Sequence, residues 1–245
     1  MIFVLHSAIG EKLSSEAWEK YLSRMPDPVR ERIRRFHRWE DRQAGLFGKL
    51  LLVEGLMRCG YPSTRLSNLV WDASGRPFLG YGLDFNISHS GDQVVCALCR
   101  DGRVGIDIEA MRPIDISDFK AHMTADQWET LTTAENRLET FFSLWTQKEA
   151  VIKADGRGLS ISLDEIHIKG EKAFLGGDIW AVEAVRIADG YCCHLARSSE
   201  TQPVHIEKIF LGLDHGSDHT REFFPARQEL AIAQTACRAS KNSLV

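Results

Sequence analysis

Two separated segments carry residues whose types and spacing suit phosphate chemistry. In Val104-Gly105-Ile106-Asp107-Ile108-Glu109 a strand alternates its side chains, so Asp107 and Glu109 share one face while Ile106 and Ile108 turn the other way, into a core. In Trp145-Thr146-Gln147-Lys148-Glu149-Ala150-Val151-Ile152-Lys153 the apolar periodicity is helical and residues four apart stack, which puts Trp145, Glu149 and Lys153 on one flank. Three carboxylates and a lysine are the parts of a site for a hard cation and a phosphate. Mg²⁺ takes oxygen ligands, typically one or two of them carboxylates, and leaves its other positions to water and substrate phosphates. Taken singly, each segment has a plainer explanation. Asp107 and Glu109 could protect an edge strand from association, and Glu149 with Lys153 could be a surface pair worth a few tenths of a kcal/mol. Their joint occurrence, with Trp145 and Lys148 in step, favours chemistry.

Together the segments resemble the signature of the 4′-phosphopantetheinyl transferase superfamily, which joins a G-x-D-x-E strand to a W-x-x-K-E-x-x-x-K helix. The resemblance extends to Gly75-Arg76-Pro77-Phe78-Leu79, to Phe85-Asn86-Ile87-Ser88-His89-Ser90 and to Arg34-Arg35-Phe36. It covers residues 1 to 213, in the order of the longer, surfactin-type members. It implies Mg²⁺-dependent transfer of the 4′-phosphopantetheine arm of coenzyme A, the co-substrate, to a serine of an apo acyl or peptidyl carrier protein, releasing 3′,5′-ADP. Asp107, Glu109 and Glu149 are then the metal ligands. Glu149 removes the serine proton, directly or through water, and Lys153 stabilises the leaving phosphate. Lys148 is a further phosphate contact or a structural support. Asp107 is expected to be exposed and to contribute little to the core, and Trp145 to pack beneath the site.

The resemblance also assigns Arg32, Arg76, Ser88 and His89 to the coenzyme's phosphates and adenine end. Arg32 aligns with one of the family's basic contacts to the 3′-phosphate, whereas a second expected lysine falls on Val29 and a hydroxyl donor on Gly45. By itself the run Arg30, Arg32, Arg34, Arg35 and Arg38 is a solvated helix face. A net charge of −4 and the lack of an accompanying aromatic platform argue against nucleic acid as a partner. Ser88-His89 is no hydrolase pair, because adjacent strand side chains diverge and no G-x-S-x-G elbow is present. A histidine at a loop edge can donate to an anion while partly charged near neutral pH. The segment Phe119-Lys120-Ala121-His122-Met123 mixes apolar and positive residues, as a dock for an acidic carrier would.

Two other classes fit the same residues: a metal-dependent nucleotide pyrophosphatase or phosphodiesterase, with water in place of the serine, and a non-catalytic coenzyme A-binding protein. The second has no need of a general base. Composition is that of a soluble globular chain: 245 residues, 44% hydrophobic and 26% charged. No apolar run is long enough for a membrane span, and the N-terminus lacks the basic start of a signal peptide. The expectation is a cytoplasmic protein acting without a membrane, and the family resemblance implies a monomer. The six cysteines agree: Cys96 and Cys99 form a C-x-x-C on a strand, where positions three apart face opposite sides, so neither metal binding nor redox chemistry follows.

The elements that must position these residues read as α+β. A strand at Ile2–Leu5 precedes short helices at Ser15–Arg24 and from Asp27, with Pro28 at the first turn. A long helix spans Trp39–Cys59, closed by Gly60. Strands follow at Leu69–Trp71, Asp84–Ser88, Gln93–Arg100 and Val104–Glu109. Thr124-Ala125-Asp126-Gln127 is a capping box. A second long helix covers Glu135–Asp155 before Gly156, and strands follow at 166–168, 180–187, 191–196 and 205–211. The repeated plan predicts a pseudo-twofold pair of α+β subdomains, each a long helix on a small, mainly antiparallel sheet. The halves are expected at 1–103, with the nucleotide contacts, and 104–213, with the metal ligands and catalytic helix. Residues 214–245 form an extension with a weakly helical 225–239.

Overall fold

The computed structural model describes residues 1–212 except Ala73 and Tyr81. The extension from 214, its weakly helical stretch and Cys237 lie outside the described residues. Residues 1–212 form one compact unit. Its elements are β1 (Ile2–Ala8), α1 (Ser15–Leu22), α2 (Asp27–Arg34), α3 (Trp39–Arg58), β2 (Val70–Trp71), β3 (Pro77–Phe78), β4 (Leu83–Ser90), β5 (Gln93–Arg100), β6 (Val104–Ala110), α4 (Ala125–Thr133), α5 (Arg137–Asp155), β7 (His167–Lys169), β8 (Lys172–Leu175), β9 (Asp178–Ala184), β10 (Tyr191–Arg197) and β11 (Val204–Lys208).

One sheet has the order β11-β1-β5-β4 and the other β6-β10-β9-β8-β7; β2 and β3 form a separate ribbon. All pairings are antiparallel except β1 with β11, where Ile2 lies opposite Val204. The expected long helix on a small sheet is present twice: α3 packs on β5, and α5 packs on β6 and β10. The halves differ in strand number. β11 leaves the second half to pair with β1, so the chain's last described strand belongs to the first sheet.

Local signals account for the helices. Thr124 accepts from the Gln127 backbone N–H and Gln127 Oε1 from that of Thr124, completing the capping box. Asn136 caps α5, which therefore starts two residues later than expected, and Gly156 ends it at φ 88°. The short β8, and β3 as the partner of the expected strand at Leu69–Trp71, are additions to the sequence-based expectation. Gly170 turns β7 into β8, and Gly176 with Gly177 turns β8 into β9, all at positive φ.

The core has layers set by strand alternation. Val95, Ala97 and Cys99 of β5 meet Ile106 and Ile108 of β6 between the sheets. The opposite face of β5 carries Val94 and Leu98, against which α3 presents Gly48 and Gly55. Cys96 and Cys99 are thus on different faces, both buried and unbridged. On the far face of β6, Ala150, Val151 and Ala154 of α5 pack against Ala173, Val182 and Ala196.

The two sheets meet at their edges through side chains. Four short polar residues alternate along β4: Asp84, Asn86, Ser88 and Ser90. Each accepts from one backbone N–H of β6, at Val104 (2.8 Å), Ile106 (3.1 Å), Ile108 (3.4 Å) and Ala110 (3.1 Å) respectively. This side-chain ladder satisfies an otherwise open edge, where each unpaired buried N–H would cost about 1–3 kcal/mol. It also fixes the register of β6, and hence of Asp107 and Glu109, against β4.

Candidate active site

The site depends on how closely α5 approaches β6. A Cβ added at Gly105 would lie 3.0 Å from Ala154 Cα and closer still to the Ala150 carbonyl oxygen and Ala154 nitrogen. Only glycine permits that backbone-on-backbone packing. It brings the flank of α5 bearing Glu149 and Lys153 beside the strand face bearing Asp107 and Glu109.

Asp107 is buried, at 3% exposure, which corrects the expectation of an exposed carboxylate: α5 and β4 cover it. Its Oδ1 accepts from Lys153 Nζ at 2.5 Å and from Ser88 Oγ at 2.9 Å. Lys153 Nζ also donates to Ser88 Oγ at 3.0 Å. Asp107 Oδ2 is buried and has no hydrogen-bond partner among the described residues. A lone buried carboxylate oxygen is costly unless it meets a cation or donor. Glu109 Oε2 accepts from Ser90 Oγ at 2.7 Å. Burial raises the pKa of Glu109 and of Glu149, and the Asp107 charge raises both further, with Lys153 opposing.

Asp107, Glu109 and Glu149 thus concentrate negative charge at one helix–strand contact. Among the described residues, no three His, Cys, Asp or Glu side chains close into a ready-made metal cage. The orphan Asp107 oxygen and the all-oxygen donor set suit a hard divalent cation that keeps water and substrate oxygens in its other positions.

A second pocket, of about 210 Å³, adjoins this site through β4. Its walls include Arg32, Lys49, Trp71 and His89. The Arg32 guanidinium lies 5.3 Å over the Trp71 ring. Crowding lowers the His89 pKa, and the positive charges of Lys153 and Lys49 lower it further against Asp41.

Two of the expected nucleotide contacts have partners within the fold. Arg76 Nη2 bonds both Asp84 oxygens (2.9 and 2.8 Å), and Nη1 donates to the Ala154 carbonyl at 3.1 Å. It ties the end of α5 to β4. Lys148 is fully buried and donates to the carbonyls of His122 (2.7 Å) and Leu163 (3.0 Å). Of its two expected roles this geometry is that of the support.

The Phe119–Met123 segment also differs from expectation. Met123 is buried with Leu131, Phe141 and Phe142. Phe119 packs 4.9 Å from Phe141 and 5.2 Å from Trp145. Met123 is therefore a core residue and not part of a docking face. Trp145 packs against this aromatic cluster.

Sequence reasoning missed Ser90, Lys49 and a buried pair, Thr146 Oγ1 and His194 Nδ1, 2.8 Å apart behind Asp107. Ser90 was detectable as the last of four polar residues alternating along β4. Lys49 stands four residues after Gly45, on the flank where a coenzyme contact was expected. His194 had no local signal, because its neighbour Thr146 is 48 residues away.

Comparison with known proteins agrees with this geometry. The model of the 4′-phosphopantetheinyl transferase superfamily matches residues 103–174, and that of the 4′-phosphopantetheinyl transferase N-terminal region matches residues 12–100. The chain is 32% identical over 161 residues to the 4′-phosphopantetheinyl transferase Sfp of Bacillus subtilis, covering 64% of this chain and 71% of that protein. It is 29% identical over 173 residues to the transferase gsp of Aneurinibacillus migulanus, covering 69% and 71%. To psf-1 of Bacillus pumilus it is 42% identical over 96 residues, covering 38% and 41%. A G-x-D-x-E strand whose glycine admits a K-E-x-x-x-K helix, and relatives that share most of their length with it, establish that this chain belongs to the 4′-phosphopantetheinyl transferase superfamily.

Proposed function

We propose that the protein transfers the 4′-phosphopantetheine arm of coenzyme A to a serine hydroxyl of an apo carrier protein, releasing 3′,5′-ADP, as a cytoplasmic monomer using Mg²⁺. The observation that carries the reading is the meeting of Lys153, Ser88 and Asp107 with Glu109 and Glu149 on one glycine-permitted helix–strand contact.

The reaction forms a bond from the serine oxygen to phosphorus and breaks the anhydride bond to the leaving 3′,5′-ADP phosphate, which takes the electron pair. Asp107, Glu109 and Glu149 would hold Mg²⁺, which when bound supplies positive charge to the pyrophosphate oxygens. Glu149 accepts the serine proton, directly or through water. Burial and its carboxylate neighbours raise its pKa toward the working pH, which improves a general base. Lys153, held by Asp107 and Ser88, offers its charge to the departing phosphate. Ser88 keeps Asp107 and Lys153 in fixed relation while its strand neighbour His89 faces the second pocket.

The test is mass spectrometry on a panel of apo acyl and peptidyl carrier proteins after incubation with coenzyme A and Mg²⁺. Gain of the pantetheine arm is expected, with loss of that gain in Glu149→Gln. Coenzyme A consumption without carrier, and no mass gain on any carrier, would replace the transferase with a pyrophosphatase.

A further inference from the structure

Glu109 is fixed from two sides. Its backbone lies on β6 opposite Cys192 of β10, and Tyr191 faces the next residue, Ala110. Its carboxylate is held from the other sheet: Oε2 accepts from Ser90 Oγ at 2.7 Å, while Ser90 Oγ accepts from the Ala110 N–H at 3.1 Å. Ser90 is the last residue of β4, so its side chain is only as well placed as the turn that follows it.

That turn is Gly91-Asp92, which joins β4 to β5 with Ser90 paired to Gln93. Gly91 stands first in the turn at φ 56°, as a tight hairpin of this length requires. Tyr191 reaches the turn from the second sheet. Its hydroxyl donates to Asp92 Oδ1 at 2.7 Å and accepts from the Asp92 N–H at 3.0 Å. A Cβ at Gly91 would lie 2.5 Å from the Tyr191 hydroxyl oxygen and 3.2 Å from Ala110 Cβ, so the turn rests directly on both residues. These contacts close a ring that runs from Glu109 through Ser90, the turn, Tyr191 and Ala110 back to Glu109. The Tyr191 ring itself packs against the core between the sheets, so removing the hydroxyl spares that packing.

We propose that Tyr191 is a positioning residue for the metal site: by latching the β4–β5 turn it holds Ser90 against the Glu109 carboxylate, and so sets the orientation of that carboxylate toward Mg²⁺. A ligating carboxylate is oriented by the groups that hydrogen-bond to it, and their loss is felt in metal affinity. The assignment rests on the transferase reading above, in which Glu109 is a metal ligand.

Calorimetric titration of the full chain with Mg²⁺ alone, alongside KM values for Mg²⁺, coenzyme A and carrier, tests the latch. Ser90→Ala removes the hydrogen bond to Glu109 and should weaken Mg²⁺ binding about 10- to 100-fold, the range for outer partners of metal ligands. Tyr191→Phe should weaken it about 3- to 10-fold, the worth of one hydrogen bond, with KM for coenzyme A and carrier unmoved and kcat restored by excess Mg²⁺. Asp92→Asn, which still offers the hydroxyl an acceptor, should bind Mg²⁺ as the parent does. Asp92→Ala removes that acceptor and repeats the measurement if the phenylalanine variant does not fold. Combining Ser90→Ala with Tyr191→Phe should bring no further loss beyond Ser90→Ala, because Tyr191 acts through Ser90. Parental Mg²⁺ affinity in Tyr191→Phe would overturn the proposal, as would a full additional loss in the double variant or an equal rise in KM for coenzyme A; each leaves the transferase reading intact. A parent that loads carriers yet binds no Mg²⁺ would likewise overturn the latch alone, and one that neither binds nor loads would overturn both.

Discussion

Replacing Gly105 with alanine isolates the contact on which the site is built. The added methyl would sit 3.0 Å from Ala154 Cα and nearer to two backbone atoms of α5. Restoring ordinary carbon contacts of about 3.5–4.0 Å requires α5 to withdraw from β6 by roughly 1 Å. Overpacking of this kind costs about 1–3 kcal/mol, and rigid backbone as the obstruction places it toward the upper end. At about 2–4 °C per kcal/mol for a chain of this size, Tm should fall by about 4–10 °C. The same withdrawal carries Lys153 away from Asp107 and Ser88. A misplacement of about 1 Å costs about a hundredfold in rate, so kcat/KM for carrier loading should drop by that order even where the variant is fully folded. Gly55→Ala is the control: the three atoms nearest its Cβ all belong to the Leu98 side chain, which can turn aside, so stability should suffer and the rate should not. Differential scanning calorimetry and carrier loading by mass spectrometry read both quantities. A Gly105→Ala protein with parental Tm and parental rate would refute the claim that this glycine sets the helix–strand distance.

Other consequences concern the buried polar groups. Burial lowers the His194 pKa from 6.5 to about 4, so the unfolded chain binds the proton first as pH falls. Its contribution is present above 6.5 and lost progressively toward 4, up to about 3 kcal/mol. Urea denaturation at pH 7 and 4.5 should show a smaller acid loss in His194→Asn than in the parent; equal losses would remove His194 from the account. Lys148, lowered by burial to about 8 from 10.5, binds fewer protons folded than unfolded between those values, so its contribution to stability rises with pH across that window. Lys148→Met should lower Tm by several degrees, since it strands the His122 and Leu163 carbonyls at about 1–3 kcal/mol each. Its deficit should widen between pH 7.5 and 9.5, and a constant deficit would show that the ammonium is not desolvated. Met123→Glu should reduce Tm and solubility while Met123→Leu does not, because it buries a charge in an aromatic cluster. A stable Met123→Glu protein with only a raised KM for the carrier would return this segment to the docking surface.

The legibility of the fold followed from how local each signal is. Helix ends were readable because the caps at Thr124 and Gly156 lie within a few residues of what they cap. The α+β order was readable from period changes between segments. β8 escaped because four residues between glycines carry too short an alternation. The expectation of β11 near 205–211 was right in place, but its partner, β1, is set by tertiary pairing across almost the whole chain.

For the site, residue types and spacing by themselves determined that Asp107 and Glu109 share a strand face and that Glu149 and Lys153 share a helix flank, since these follow from backbone periods. They also marked Ser88 and His89 as neighbours of opposite facing. Only the tertiary structure decided which cations are free. Arg76 is engaged by Asp84 and Lys148 by two carbonyls, while Lys49, on a helix pressed against β4 by glycines, has no carboxylate partner among the described residues. It also buried Asp107, which no strand pattern could foretell, because the cover comes from α5 and β4. Backbone periodicity determines the direction of a side chain within its own element. The charge it meets there depends on long-range packing, and so on contacts that sequence neighbours do not encode.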